Sequence, residues 1–153
     1  MLLSKSCEYG LRALLYLAAD SSDEYVSLRH VSEELGLSFA FLGKIFQKLS
    51  TAGLTHSQRG PHGGVALARD PEHITLYEIV AVLDGEELFT ECVLGLPGCG
   101  EAAPCPLHGP WAQERDQLEL LFRRATLAET ATEAKEQNYR LTACSGEGPE
   151  ATT

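Results

Sequence analysis

The segment from residue 27 to residue 69 constrains the fold of this chain more than any other stretch. Ser27 stands before the amphipathic run LRHVSEEL, and Gly36 follows that run, where a helix commonly ends in the left-handed conformation. Ser38 precedes a second run, FAFLGKIFQKLSTAG, whose apolar residues recur at helical spacing on one face: Leu42, Ile45, Phe46 and Leu49. The pattern therefore predicts two short helices joined by a tight turn.

A hairpin is predicted directly after the second helix. Two strand-like runs, LTHSQ at 54–58 and VALAR at 65–69, are joined by RGPHGG, which contains one proline and three glycines. Two helices, a tight turn and a two-stranded hairpin together describe a winged helix-turn-helix. A further helix is predicted in SKSCEYGLRALLYLAAD. The predicted fold class is therefore mainly α with a small β-hairpin wing.

The rest of the chain divides into a short helix, a loop and a long helix. Thr75 and Glu78 have capping-box spacing at the start of LYEIVAVLDG. The long helix has an apolar stripe that predicts a dimer seam, with core packing in a monomer as the alternative: Trp111, Leu118, Leu121, Phe122, Ala125 and Ala128. The predicted organisation is a winged helix-turn-helix domain at 1–85, a cysteine-rich loop at 86–109, a dimerisation helix at 110–140 and a disordered tail at 141–153.

The distribution of charge favours DNA binding, although the net charge is −10. Five basic and two acidic residues stand between Tyr25 and Arg69, whereas residues 71–153 carry five basic and fifteen acidic residues. The local field matters more than the total when phosphates are the partner. The outward face of the second helix is small, polar and positive, as a helix entering the major groove requires. The residues predicted to contact a double-stranded DNA operator are Ser38, Phe39, Ala40, Phe41, Lys44 and Lys48 on this helix, and Arg59 and His62 on the hairpin.

Three of the five cysteines lie in one Gly- and Pro-rich loop, ECVLGLPGCGEAAPCPLH, at residues 91–108. No apolar run is long enough to span a membrane and no secretory signal pattern is present, so a cytoplasmic location is expected. There, loop thiols bind metal or sense redox state more often than they form structural disulfides. Thiolates are the ligands of iron–sulfur clusters, and the loop offers Cys92, Cys99 and Cys105, with His108 as a further candidate. Zinc and a metal-free thiol switch are the alternatives, although zinc sites usually include a closely spaced Cys pair.

The sequence does not carry the patterns of an enzyme. It contains no G-x-G-x-x-G nucleotide fingerprint and no set of side chains resembling a catalytic triad. A protein-interaction module, in which the acidic C-terminal half binds another protein, is the alternative from a different class. A DNA-binding regulator without enzymatic activity is the favoured prediction.

Four segments, in this order and spacing, resemble the Rrf-two family of bacterial winged helix-turn-helix transcription regulators: SKSCEYGLRALLYLA, LGLSFAFLGKIFQKLSTAGL, RGPHGGVALAR and ITLYEIVAVLDG. The resemblance covers about residues 1–140, and RGPHGG followed by an apolar strand is its most specific part. It implies a homodimer in which the long C-terminal helix pairs with its mate. It also implies a cluster loop between the short fourth helix and the dimer helix, where the three cysteines fall.

The resemblance further implies a [2Fe–2S] or [4Fe–4S] cluster on Cys92, Cys99 and Cys105, with a fourth ligand from His108 or from Glu8 of the partner subunit. The first cysteine gap has six residues, one more than is usual in the family's cluster-binding members. The implied function is a transcription regulator, such as a repressor, that senses redox state, iron–sulfur status, or a small molecule such as nitric oxide or oxygen. A cluster-free or zinc-containing regulator of the same family, acting through thiols or a protein partner, is the alternative.

Overall fold

The computed structural model describes residues 2–20 and 25–143. These residues form seven α-helices, a two-stranded antiparallel hairpin and one short 3-10 turn at Pro71–His73. The helices are α1 Lys5–Ala19, α2 Leu28–Leu35, α3 Phe39–Thr51, α4 Leu76–Asp84, α5 Glu87–Thr90, α6 His108–Arg124 and α7 Leu127–Glu136, and the strands are β1 Thr55–Gln58 and β2 Gly64–Leu67. The mainly helical architecture with a hairpin wing confirms the predicted fold class.

Helix α1 is the centre of the fold. It begins after Ser4, whose hydroxyl accepts a hydrogen bond from the backbone N–H of Cys7 at 3.1 Å. It packs against α2, α3, α4 and α7. Ala13 and Leu14 are fully buried in these contacts. One continuous apolar core therefore supports every element that surrounds α1.

The helix-turn-helix forms as its caps predict. Gly36 ends α2 in the left-handed conformation, with φ 61°, and Ser38 starts α3 by accepting a hydrogen bond from the N–H of Phe41 at 3.3 Å. The predicted apolar stripe of α3 is buried, which fixes the rotation of the helix and turns its opposite face to solvent: Leu42, Ile45, Phe46 and Leu49.

The wing is a short hairpin that is also attached to the segment before α2. Thr55 pairs with Leu67 at its base, and the backbone of Val26 exchanges two hydrogen bonds with Val65, at 2.8 and 2.9 Å. A Cβ atom at Gly64 would overlap the carbonyl group of Val26, so the close approach of these two backbones requires glycine. The wing is therefore fixed along both edges of β2.

The single helix predicted over 110–140 is wrong: the chain forms α6 and α7 with a break at Ala125 and Thr126. Thr126 has extended backbone and its hydroxyl accepts a hydrogen bond from the N–H of Glu129 at 3.2 Å, so it starts a new helix. The break also pairs with the start of α4, through Leu76 N–H to Ala125 O at 3.0 Å. Helix α7 then packs on α1 as part of the winged-helix core.

The predicted tail at 141–153 lies mostly outside the described residues, which end at residue 143, and Cys144 lies outside them too. Within the described residues, every helix is too short or too polar to cross a lipid bilayer.

Candidate DNA-binding surface and cysteine site

The surface predicted to bind DNA, termed the recognition surface, consists of the solvent face of α3 and the tip of the wing. On α3 the exposed side includes Ala40, Lys44 and Lys48, together with Gly43, where an added Cβ would meet no other atom within 4 Å. At the wing tip, Arg59 and His62 are exposed. No ion pair with another described residue is made by Lys44, Lys48 or Arg59. Their charges are therefore available to an anionic partner.

An exposed aromatic ring lies at the beginning of α3. Phe39 is 45% exposed, and the guanidinium carbon of Arg29, on α2, lies 4.8 Å from the centre of its ring. This cation–π contact holds the arginine over one face of the ring and leaves the outer part of the ring in solvent. Sequence reasoning placed Phe39 on the DNA face and missed Arg29, whose position depends on how α2 packs against α3.

Two other predicted DNA contacts have structural roles in the protein. Ser38 is exposed, but its hydroxyl is already used as the N-terminal cap of α3. Phe41 is half-buried, with its ring 5.6 Å from that of Tyr9 in an edge-to-face arrangement. The side chain of Phe41 therefore points toward α1. It exposes less surface to a DNA partner than the solvent-facing residues of α3 do.

The cysteine loop, residues 91–107, lies between α5 and α6, and the four predicted donors, three in the loop and His108 at its end, come together in two pairs. The sulfur atoms of Cys92 and Cys105 are 3.5 Å apart, and the sulfur of Cys99 is 3.5 Å from Nδ1 of His108. Cys92 is buried and the other three are half-buried. His108 is not a loop residue, because it is the first residue of α6.

The pKa values of the thiols of Cys92 and Cys105 are shifted in opposite directions. The backbone N–H groups of Leu94 and Leu96 donate to the Cys92 sulfur and lower the pKa of its thiol, because they stabilise the thiolate. Burial raises the pKa of the Cys105 thiol, and the neighbouring Cys92 sulfur raises it further. Cys92 is therefore the more readily ionised member of the pair.

Helix α6 holds the loop through two long side chains: Trp111, which the sequence placed on the apolar stripe, and Arg115, which the sequence did not single out. The indole N–H of Trp111 donates to the carbonyl of Glu91 at 2.8 Å, and an Nη of Arg115 donates to the carbonyl of Thr90 at 2.9 Å. The same Nη atom lies 3.7 Å from the sulfur of Cys99. The Nε atom of Arg115 is buried and has no hydrogen-bond partner. A cation with an unused donor thus lies beside the sulfur of Cys99.

The donor set fits a polynuclear group better than a single ion. Within the described ranges, no three His, Cys, Asp or Glu side chains converge on one position that a metal ion would occupy. The loop instead presents three sulfurs and one imidazole nitrogen in two pairs, beside the unused N–H of Arg115. Glu8, the other predicted fourth ligand, lies on α1, where its carboxylate pairs with Lys5 at 2.6 Å. Within the described residues, its side chain makes no hydrogen bond or ion pair with the loop of its own chain.

Cys7, the fourth cysteine within the described residues, has a different environment. It is fully buried in α1, and burial raises the pKa of its thiol to about 12. A thiol that stays protonated in an apolar core is inert, so Cys7 is a packing residue.

Large apolar side chains remain exposed on α6 and on the cysteine loop. On α6, Leu121 is 60% exposed and Leu120 is 39% exposed. On the loop, the exposed apolar residues are Val93, Leu94, Leu96 and Leu107. Solvent-facing leucines on neighbouring elements form the kind of surface that a protein partner covers.

Known proteins are similar to this chain in sequence and in fold. The profile of the family named Rrf2, described as an iron-dependent transcriptional regulator, matches residues 3–133. The chain is 33% identical over 129 residues to the transcriptional regulator IscR of Escherichia coli, covering 84% of this chain and 79% of that protein. Among solved structures it is similar to CymR, the global cysteine regulator of B. subtilis, with a TM-score of 0.73, 29% identity and coverage of 85% of this chain and 95% of that one. It is also similar to IscR of T. potens, with a TM-score of 0.71, 29% identity and coverage of 88% and 89%.

Proposed function

The chain belongs to the Rrf2 family of transcription regulators, and we propose that it is a homodimeric DNA-binding regulator whose cysteine loop holds an iron–sulfur cluster. Like the proteins it matches, it is a regulator and not an enzyme. The observation that carries the cluster proposal is the gathering of three loop sulfurs and the His108 ring nitrogen in two close pairs. The sensing function and the dimer belong to the same proposal.

DNA is bound by the recognition surface. Helix α3 enters the major groove with its small residues against the bases, while Lys44 and Lys48 reach phosphates. Arg59, at the tip of the wing, binds a phosphate or enters the adjacent minor groove. The support for this assignment is that these three cations are exposed on α3 and at the wing tip and lack ion pairs with described residues.

The paired donors favour a two-iron cluster. In such a cluster each iron takes two protein ligands, and the loop offers one pair from Cys92 and Cys105 and a second from Cys99 and His108. When bound, the cluster would supply irons that exchange electrons and ligands with a signal such as oxygen or nitric oxide. The nitrogen ligand makes one side of the set weaker than a thiolate would, which suits a sensor.

The loop is connected to the dimer helix and to the winged domain through aromatic packing. Phe89 in α5 is buried, with its ring centre 4.8 Å from that of Tyr77 in α4 and 5.7 Å from that of Phe122 in α6. A change in the loop that moves α5 therefore shifts α6 relative to α4. Exposed Leu120 and Leu121 on α6 pair with the second copy in this proposal, so such a shift changes the spacing of the two recognition surfaces. The cluster regulates DNA binding only if its two states, before and after reaction with the signal, differ in how strongly they stabilise the spacing that binds DNA.

The cluster is tested by anaerobic reconstitution followed by an absorption spectrum and assays of iron, sulfide and zinc on the same sample. We expect visible absorption that oxygen or nitric oxide bleaches, with two irons and two sulfides per chain for a two-iron cluster. Cys92→Ser, Cys99→Ser and Cys105→Ser should each lose iron, whereas Cys144→Ser is the control outside the loop. His108→Ala and Glu8→Gln decide the fourth ligand. A colourless protein that binds only zinc, or no metal, would contradict the cluster.

DNA binding is tested with a duplex selected from a random-sequence pool, titrated over a range of salt. Lys44→Ala and Arg59→Ala should each weaken binding and reduce the salt slope by about one, because each removes one phosphate contact. Lys135→Ala, on α7, removes the same charge from an exposed position away from α3 and the wing. If all three variants bind like the wild type, the recognition surface is assigned wrongly.

A thiol switch without a cluster is the second candidate function, and one distance favours it. The sulfurs of Cys92 and Cys105 lie 3.5 Å apart, and a disulfide needs a separation of about 2.05 Å. Similarity to CymR, named as a cysteine regulator, is compatible with this alternative. Treatment of the metal-free protein with a two-electron thiol oxidant would then remove two hydrogens and join these two sulfurs, and peptide mass mapping would detect the bond. Oxidation of other cysteine pairs would contradict it.

A further inference from the structure

Arg115 is a largely buried cation at the inner side of the cysteine loop. Its side chain is 15% exposed, whereas the side chain of its nearest carboxylate, Asp116, is 69% exposed and 4.0 Å away. Such an exposed and distant partner neutralises little of a buried charge. The closer contacts of Arg115 are the carbonyl of Thr90 at 2.9 Å and the sulfur of Cys99 at 3.7 Å.

A purely mechanical role explains only part of this environment. The bond to Thr90 ties the end of α5 to α6, and a neutral donor is sufficient for such a tie, as Trp111 shows with its bond to the next carbonyl, that of Glu91. The Nε atom of Arg115 is buried without a partner, which is costly for a charged donor. The cost is offset when an anionic acceptor lies beside the guanidinium. The sulfur of Cys99, 3.7 Å from an Nη atom of Arg115, would be such an acceptor when it ligates a cluster as a thiolate.

We propose that Arg115 is a positioning residue that closes the cysteine loop onto α6 and places its positive charge against the sulfur ligands of the bound cluster. The inference rests on the proposed function for the cluster itself. Arg115 does two separable things: it holds the end of α5 and Cys99 by hydrogen bonds, and it favours the state of the ligand set that carries more negative charge. One-electron reduction by an external donor adds one negative charge there, so Arg115 raises the reduction potential.

The chain offers variants that separate these two effects. Arg115→Gln removes the charge and keeps a neutral donor, whereas Arg115→Lys keeps the charge and removes the planar fork. Trp111→Phe removes a hydrogen bond of similar length to the neighbouring carbonyl and leaves the charge of Arg115 in place. A merely structural role would make Trp111→Phe and Arg115→Gln behave alike.

The first readout uses the metal-free protein. Hydrogen exchange of loop amides should accelerate about tenfold in Arg115→Ala, which removes the charge-assisted hydrogen bond and every donor of the side chain, and Trp111→Phe should accelerate them as well. Exchange in Arg115→Ala at the wild-type rate would overturn the holding role. This measurement does not depend on whether the cluster binds.

The second readout is the midpoint potential of the reconstituted protein, titrated anaerobically with dithionite and mediator dyes. Arg115→Gln should disfavour reduction about tenfold, which for one electron is about 59 mV, whereas Arg115→Lys and Trp111→Phe should stay close to the wild type. Equal potentials in Arg115→Gln and the wild type, with both loaded, would overturn the charge role and leave the cluster proposal intact. A wild-type protein that takes up no iron and sulfide would overturn the proposed function and the charge role together.

Discussion

The wing and the cysteine loop are both glycine- and proline-containing segments on the surface, but different forces hold them. The wing is held by backbone hydrogen bonds on both edges of β2, with β1 on one side and Val26 on the other. In the cysteine loop the backbone makes local turns, such as Gly95 N–H to Cys92 O at 2.9 Å, and side chains of α6 attach the segment to the fold. In the proposed function, the surface that binds DNA is fixed by backbone hydrogen bonds, whereas the segment proposed to supply the sulfur ligands can change when those ligands change.

Phe89→Ala, in α5 where the chain enters the cysteine loop, should have the largest effect on stability. Phe89 is buried between Tyr77 and Phe122, and removing such a ring from a core costs about 3–5 kcal/mol in the free energy of unfolding. Denaturant unfolding measures the change, and Leu88→Ala, at a half-buried neighbour, is the control. A loss below about 1 kcal/mol would mean that α5 opens with the cysteine loop and does not belong to the core.

Gly64→Ala should come next, with a loss of about 1–3 kcal/mol, because the new methyl group overlaps the backbone at Val26. Gly43→Ala is the matched control, since its methyl group meets no atom within 4 Å and α3 gains about 0.5–1 kcal/mol of stability. Thermal unfolding of both variants measures the difference. Equal stability of the two would show that the wing is as adaptable as the cysteine loop.

The loss of folding stability at low pH should arise from Glu78 in α4, outside the cysteine loop. Burial opposes ionisation of Glu78, but hydrogen bonds from Arg69 and Thr75 outweigh it, so the pKa of Glu78 lies below its ordinary 4.5. A lowered folded pKa gives stability that is present above pH 4.5 and is lost as the pH falls through the folded pKa.

Glu78→Gln should therefore flatten the decline of unfolding free energy below pH 4.5. The control is Glu101→Gln in the cysteine loop, because Glu101 is exposed and makes no hydrogen bond or ion pair within the described part of the chain. Parallel pH profiles for Glu78→Gln and the wild type would contradict this assignment.

Leu94→Ser in the cysteine loop should have the smallest effect, within about 0.5 kcal/mol, because Leu94 is 51% exposed. The measurement is sharpened by repeating it at several protein concentrations. A loss above about 1 kcal/mol that grows with concentration would show that a second copy covers the loop, and the loop would then be more firmly held than the isolated chain indicates.

Local signals in the sequence predicted most of the winged half. Ser38, Gly36 and Thr75 start or end helices by contacts within a few residues, and such contacts can be read from spacing. The break before α7 has the same kind of signal, because Thr126 and Glu129 have N-cap spacing, but the apolar stripe that continues past the break outweighed it. The predicted helix over 110–140 was wrong for that reason.

For the cysteine site, the sequence predicted the candidate ligand residues but not their arrangement. The residue types and their clustering pointed to Cys92, Cys99 and Cys105, but their pairing and the role of α6 depend on contacts between distant residues. Arg115 reaches a carbonyl 25 positions earlier in the chain. No local pattern encodes such a contact, since it exists only after α5 and α6 have packed around Phe89.

The break between α6 and α7 also limits how α6, the dimer helix of the proposed homodimer, can move. Helix α6 has 17 residues, so it is a rod about 25 Å long. One end is tied to α5 through Trp111 and Arg115, and the other is clamped where Thr126 pairs with Thr75. A rod hinged at one end swings like a lever, whereas a rod pinned at both ends can only roll about its long axis or slide along it. In the proposed homodimer, rolling of α6 would present a different row of its side chains to the partner subunit, and the partner subunit would shift to pack against that row.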